Sequence, residues 1–414
     1  MTLAPPSQTE KQPRRVKVAD VLDGDPAVTD SEETVRHGGG RLRVEVVSSQ
    51  EGFREVREEW NGLLEQSPLE SPFLRHEWFE AAWKWHGPPD RPLILLVRRN
   101  GVLVGACPLI LRHRQYRPFG IKSLEFLTVP DTQECELICH PPGMRLEVLA
   151  AIAEWIKKQR RQWDLLYLGQ FSSRSDTLER LAGFFGRDWY TTENPLESLN
   201  YFLPTPGNWE EYYQGLARKL KKNNNWVANR LRKAGEVEIE WHTPGAGDYD
   251  SLYQAVGVSA KSWKASIKGS LDHPGPHAFI RRLSEHAWRE GWFSVWLLKL
   301  NGRAIAMEYQ LVYRGKAYAL RGDFDARYGE ISPGSHLNHQ LLRRFFEEPA
   351  VDTYYLGPGT NDYKLRWTER YEEQKAITIY GKTPRARGLK AFKKIKNRLA
   401  RGAGKEGGFR PPGK

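Results

Sequence analysis

The stretch VDTYYLGPGTNDYKLRW, residues 351–367, ends an alternating apolar run in Leu356-Gly357-Pro358-Gly359 and then sets Tyr363, Lys364, Arg366 and Trp367 close behind it. Gly-Pro-Gly stops a strand sharply, and its permissive backbone turns the following residues toward the strand's carboxyl end. A phenol there is protonated at neutral pH and can donate where an ordinary carboxylate cannot. An ammonium beside it stabilises charge in a partly dry cleft. Lys364 and Arg366 either hold an anionic donor or acceptor or pair with Asp362 and Glu369.

A second group of residues lies just upstream, in RGDFDARYGEISPGSHLNHQLL (321–342). A strand ends near Asp323, and Ser332-Pro333-Gly334-Ser335 opens a helix that continues through His336. Small residues at a helix start leave backbone N–H groups open to a phosphate, which the helix dipole also attracts. The same residues also make an ordinary capped helix start. Glu308 and Asp323 are the candidate general bases, because a carboxylate in an apolar cleft has a raised pKa; each could instead partner a cation such as Arg321. Lys222 and Arg230 belong to the basic face of a helix spanning 209–234, either a solvated face or one wall of an anion groove. Trp263 and Trp367 suit stacking on a sugar ring, although with 15 tryptophans in the chain any one of them also suits a core.

Internal duplication supplies the elements that position these groups. ILLVRRNGVLVGACPLIL (94–111) and VWLLKLNGRAIAMEYQLV (295–312) are both apolar strand pairs joined by Asn-Gly. WDLLYLGQ (163–170) parallels VDTYYLGP (351–358), each behind a helical pattern. The matched order predicts two α/β units, each a mixed sheet with an antiparallel hairpin and flanking helices. The expected divisions are a disordered leader over 1–41, a first domain over 42–205, a second over 206–382, and a basic amphipathic tail over 383–414.

Composition bounds the rest. The chain has 414 residues and a net charge of +12, yet residues 383–414 hold eleven Lys/Arg and one acid. The basicity is a tail property, so DNA is not an expected partner; the tail is either a helix for an anionic membrane surface or a segment packed on the domain. No run approaches the length of a membrane span, and the first residues lack a signal-peptide layout, so a cytoplasmic location is expected, with the tail allowing attachment at the inner membrane face. Three cysteines make no disulfide framework, and Cys135-x3-Cys139-His140 has no second ligand pair, so no metal is expected.

From about 210 to 370 the sequence resembles the GNAT acyltransferase superfamily. The branch it resembles is the acetyltransferase-like proteins of cellulose and exopolysaccharide biosynthesis (CelD/BcsL type), related in fold to the Fem-type peptidoglycan aminoacyl transferases. The residues that carry the resemblance are LARKLKKNNNWVANRLRKAG, SWK at 262–264, NGRAIAMEYQL, DFDARYGEISPGSHL and LGPGTNDYKLRW, in that order. It implies tandem GNAT-like domains that move an acetyl or acyl group from acetyl-CoA or another acyl-CoA to a hydroxyl or amine of a cell-envelope or exopolysaccharide sugar. Arg327-Tyr328-Gly329 and Ser332-Pro333-Gly334 stand where the pyrophosphate loop would be, and Tyr363 where a tyrosine protonates the leaving thiolate. Two further readings are an aminoacyl-tRNA-dependent transferase and a glycan- or partner-binding protein without catalysis. Against the tRNA-dependent reading, no long helical arm is inserted.

Overall fold

Two Asn-Gly turns set the frame of the molecule. Asn100 and Gly101 have φ of 51° and 85°, and Asn301 and Gly302 have 51° and 72°, the left-handed pair that a tight hairpin requires. The computed structural model describes residues 31–37, 40–116, 119–348 and 350–402. The first half runs β1 (Ser31–His37), β2 (Gly40–Val47), α1 (Gln50–Glu55), α2 (Arg57–Gln66), α3 (His76–Trp85), β3 (Arg91–Arg99), β4 (Val102–Tyr116), β5 (Phe119–Phe126), the short β6 (Ile138–Cys139), α4 (Arg145–Lys158), β7 (Leu165–Ser172), α5 (Thr177–Phe185) and β8 (Tyr190–Pro204). The second half continues with α6 (Trp209–Gly215), α7 (Arg218–Ala234), β9 (Val237–His242), α8 (Ser251–Ser259), α9 (Pro274–Arg289), β10 (Phe293–Leu300), β11 (Arg303–Tyr313), β12 (Lys316–Phe324), α10 (Pro333–Glu347), β13 (Thr353–Pro358), the one-turn α11 (Asp362–Leu365), β14 (Tyr371–Tyr380) and α12 (Pro384–Gly402).

The strands form one mixed sheet in the order β1-β2-β3-β4-β5-β7-β14-β8-β13-β12-β11-β10-β9, with β6 beside β4. Both halves therefore repeat antiparallel strands followed by one parallel pair, β5 with β7 and β12 with β13. At the centre the last strands change places. β14 pairs with β7 of the first half, β8 pairs with β13 of the second, and the two pair with each other. The expected boundary at 205/206 divides the sequence but not the sheet.

Three other expectations change. β1 lies inside the stretch expected as a leader and pairs along its length with β2, so that boundary moves to before Ser31; residues 1–30 lie outside the described residues. The helix expected over 209–234 is two helices, because Leu216 takes an extended conformation between α6 and α7. On α7 the buried stripe is Leu220, Asn224, Val227 and Leu231. The tail begins as structure: Ala386 and Leu389 are fully buried, Leu389 against Ile121, Leu165 and Tyr380, and the Thr383 hydroxyl donates to the Asp164 carboxylate. Farther along α12, Phe392 and Ile395 are exposed, and 403–414 lie outside the described residues.

One hydrophobic core joins both halves, with Trp78 of α3 edge-on to Phe279 of α9 at 5.3 Å. Beside it Glu80 accepts from Arg54 (2.9 Å), Arg282 (2.8 Å) and His286 (2.9 Å), linking α3 to α9. Burial opposes the charge on Glu80, but these three donors outweigh it and hold the carboxyl well below its usual range.

Candidate active site

The site opens where a parallel pair comes apart. β12 and β13 are in register only from Lys316–Thr353 to Tyr318–Tyr355. Beyond that, β12 carries a bulge: Ala319 faces Gln310 and Arg321 faces Tyr309, leaving Leu320 over. β13 bends at Gly357, whose φ of 84° a side chain would strain, and Gly359 repeats this at 88°. A cleft of about 620 Å³ fills the fork.

Lys364 explains why the turn after β13 holds its shape. Its Nζ donates to the carbonyls of Gly357 (2.7 Å), Pro358 (2.9 Å) and Gly359 (2.9 Å). All three of its donors are used, and burial brings its pKa down to about 8. The expectation for Lys364 is a bound donor or acceptor, or a pair with Asp362 or Glu369; its ammonium instead staples the turn that presents Tyr363 to the cleft. Tyr363 as a residue is 46% exposed, while desolvation of its phenol, followed by the charge of Glu308, raises the pKa above the ordinary value.

Glu308, on β11, lines the same cleft with one carboxylate oxygen fixed by the Tyr354 hydroxyl (2.6 Å) and the Gln310 amide (2.7 Å). Burial raises its pKa, against the pull of those hydrogen bonds. Across the strand it faces Gly322, which leaves the approach open. Asp323, the other candidate base, lines the cleft too but is already engaged: it accepts from Ser259 at 2.7 Å and pairs with Lys264 at 2.7 Å. Its cation is thus Lys264, since Arg321 pairs with Asp131 at 2.7 Å.

Gly334 and Ser335 at the start of α10 line the cleft. Ser332 caps α10 in a left-handed conformation and makes no side-chain cap bond, so the first turn keeps N–H groups without a side-chain acceptor. His336 is buried, its pKa lowered by desolvation and then by Arg232, and its Nδ1 has no partner. Arg327 does not enter the cleft, because both ends of its guanidinium go to Asp325 at 2.6 and 3.0 Å. Gly329 and Ser332 also stand outside the lining. Arg366 and Trp263 sit exposed at the cleft, and among the described residues no ion pair holds Arg366. Trp367 is buried and stacked on His339 at 6.1 Å, and it also lines the cleft. Lys222 and Arg230 are not in the lining; Arg230 covers the Trp226 ring at 4.8 Å, and α7 contributes Leu220, Asn223 and Asn224 instead.

Sequence reasoning missed Asp131 and Gln133, which the first half inserts into the fork. Gln133 donates to the Ala319 carbonyl at 2.7 Å, filling a position a neighbouring strand would take. It also missed Asn338, whose buried Oδ1 lacks a partner at the cleft wall, and Tyr354. The alternation along β13 could have identified Tyr354; no local signal marks the others. Among the described residues no group of three His, Cys, Asp or Glu is placed to hold a metal.

Residues 218–365 match the family model described as an acetyltransferase (GNAT) domain. No curated protein matches the chain. Among solved structures, a C-terminal domain from Agrobacterium fabrum named for lysylphosphatidylglycerol synthetase is 12% identical over 81% of this chain and 95% of its own, with a TM-score of 0.51. A FemX structure is 12% identical over 78% and 95%, at 0.48. A tandem GNAT protein from the clavulanic acid pathway is 13% identical over 82% and 99%, at 0.46. The chain has a mixed α/β fold whose two halves repeat the same order of strands, and residues 218–365, which supply most of the cleft lining, match the GNAT acetyltransferase domain.

Proposed function

We propose that the protein moves an acyl group from an acyl-CoA to a hydroxyl or amine of a cell-envelope or exopolysaccharide sugar. One observation carries the reading: a buried carboxyl of raised pKa, Glu308, and a presented phenol, Tyr363, line one cleft at the fork of the sheet. The first turn of α10 supports a pyrophosphate there, and the orphan Asn338 Oδ1 can accept an amide N–H of the same donor. The thioester supplies the activated acyl group. Glu308 takes the proton from the acceptor's O–H or N–H as that atom bonds to the acyl carbon. Tyr363 gives its proton to the sulfur as the C–S bond breaks. Glu308 then returns a proton to the phenol through solvent, restoring both groups. Trp263, at the cleft mouth, offers a ring face to a sugar.

Incubation with acetyl-CoA and longer acyl-CoAs, followed by native mass spectrometry and thiol release with glycan acceptors, tests the reading. Bound donor and acceptor-dependent thiol release are expected. A protein that neither binds nor consumes any acyl-CoA sinks it.

A further inference from the structure

A second cavity, of about 260 Å³, adjoins the cleft, with Gln133 lining both. It sits where the exchanged strands meet: Asn200 of β8 faces Pro358 of β13 on one side and Glu372 of β14 on the other. Its walls are acidic, with Glu134, Glu372 and Glu373 against a single lysine, Lys316. Glu70 also reaches it but is paired with Arg314 at 2.9 Å.

Two orphan acceptors point to a ligand independently of that charge. Oδ1 of Asn200 and Oε1 of Gln133 are buried without a hydrogen-bond partner, in side chains only 4% and 2% exposed. The Gln133 amide is oriented by its bond to the Ala319 carbonyl, so its oxygen is the end left over. A buried acceptor without a donor is costly, and native structures seldom leave one unexplained. Tyr318 and Tyr355, stacked at 4.9 Å between centroids, add an aromatic wall. Carboxylates and orphan carbonyl oxygens share one complementary partner, an organic cation bearing N–H donors. Glu134 agrees with this, since burial and then the charges of Glu372 and Glu136 push it up to about 7, a crowding that a cation relieves.

We propose that this cavity binds the primary ammonium group of a small polar molecule, at a site separate from the acyl-transfer cleft. The volume is below the roughly 300–1,000 Å³ of ordinary small-molecule pockets, which suits an amino-bearing ring or short chain. The proposal rests on these residues alone and stands whether or not acyl transfer occurs.

Calorimetry on the full chain at low salt, without an acyl donor, tests it with glucosamine, ethanolamine and the uncharged N-acetylglucosamine. The two amines are expected to bind saturably and the N-acetyl form not at all. Glu134→Gln and Asn200→Leu should each weaken binding tenfold or more with unchanged circular dichroism; if either variant fails to fold, Glu372→Gln at the start of β14 replaces it. No saturable binding of either amine, equal binding of N-acetylglucosamine, or full affinity in the folded variants overturns the site. Acyl-CoA titrated into the same sample reads the transferase proposal separately, so bound acyl-CoA with no bound amine retires this site alone.

Discussion

Tyr363 and Lys364 are neighbours in sequence with opposite duties. Tyr363→Phe removes one hydroxyl and should lower kcat about 10²–10⁴-fold with little change in acyl-CoA affinity, read by steady-state kinetics and calorimetry. Lys364→Met leaves three turn carbonyls without their shared donor. It should cost about 3 kcal/mol or more in chemical denaturation and lower turnover with it. Glu308 acts only when deprotonated, and its folded pKa is raised above the usual carboxyl value. Activity should therefore fall as pH drops through that raised value, and Glu308→Gln should abolish this acid limb along with most turnover. Gly334→Val probes the donor end: its Cβ would meet only the Phe324 ring, at 3.4 Å, so the fold should survive while acyl-CoA affinity drops. Unchanged affinity would remove the start of α10 from the site.

At the scale of elements, α12 divides into two regions. Leu389 is fully buried, so Leu389→Ala should cost about 2–5 kcal/mol in denaturant unfolding. Truncation before Pro384 should destabilise likewise, which a freely appended tail would not do. The outer part presents Phe392 and Ile395 within a strongly basic stretch. Sedimentation with anionic vesicles should show binding that weakens steeply with salt, because exposed charges are screened over about 8–10 Å near physiological ionic strength. Binding unchanged by Ile395→Asp and by high salt would count against a membrane-facing helix. Among the described residues no helix is long and apolar enough to cross a bilayer.

For the whole molecule, exchange of β8 and β14 makes each half depend on the other. Expressed alone, neither 31–205 nor 206–402 should fold, since each would lose the strand that completes its sheet; co-expression should restore a soluble complex. The Glu80 cluster adds a pH dependence. Its folded pKa is depressed, so its contribution to stability is fully present above the ordinary carboxyl pKa and is lost as pH falls below about 4.5 toward the folded value. Glu80→Gln should flatten that acid loss and destabilise the protein at neutral pH by about 1–3 kcal/mol, the range for lost hydrogen bonds to a charged group, because Arg54 is half exposed and Arg282 keeps Glu285. Thermal unfolding across pH 3–7 checks both. An unaltered profile would place the cluster outside the stability-determining contacts.

Features legible in the sequence are those that neighbours along the chain create. Asn-Gly can take the two left-handed residues of a hairpin, alternation marks a strand, and Gly-Pro-Gly ends one, so the hairpins, the start of α10 and the turn before Tyr363 could all be placed from residue order. The matched order of elements likewise revealed the duplication. Partner choice was not legible, because it depends on residues far apart in the chain. From the sequence Lys364 suited a ligand or a neighbouring carboxylate; the folded turn instead gave its ammonium three carbonyls. Asp323 took Lys264 because Arg321 was already held by Asp131, from the other half. Gln133 enters the fork, and the two last strands change places, only because the halves pack into one sheet. Short-range backbone preferences thus decided the elements, while long-range burial and pairing decided which charges remain available for chemistry.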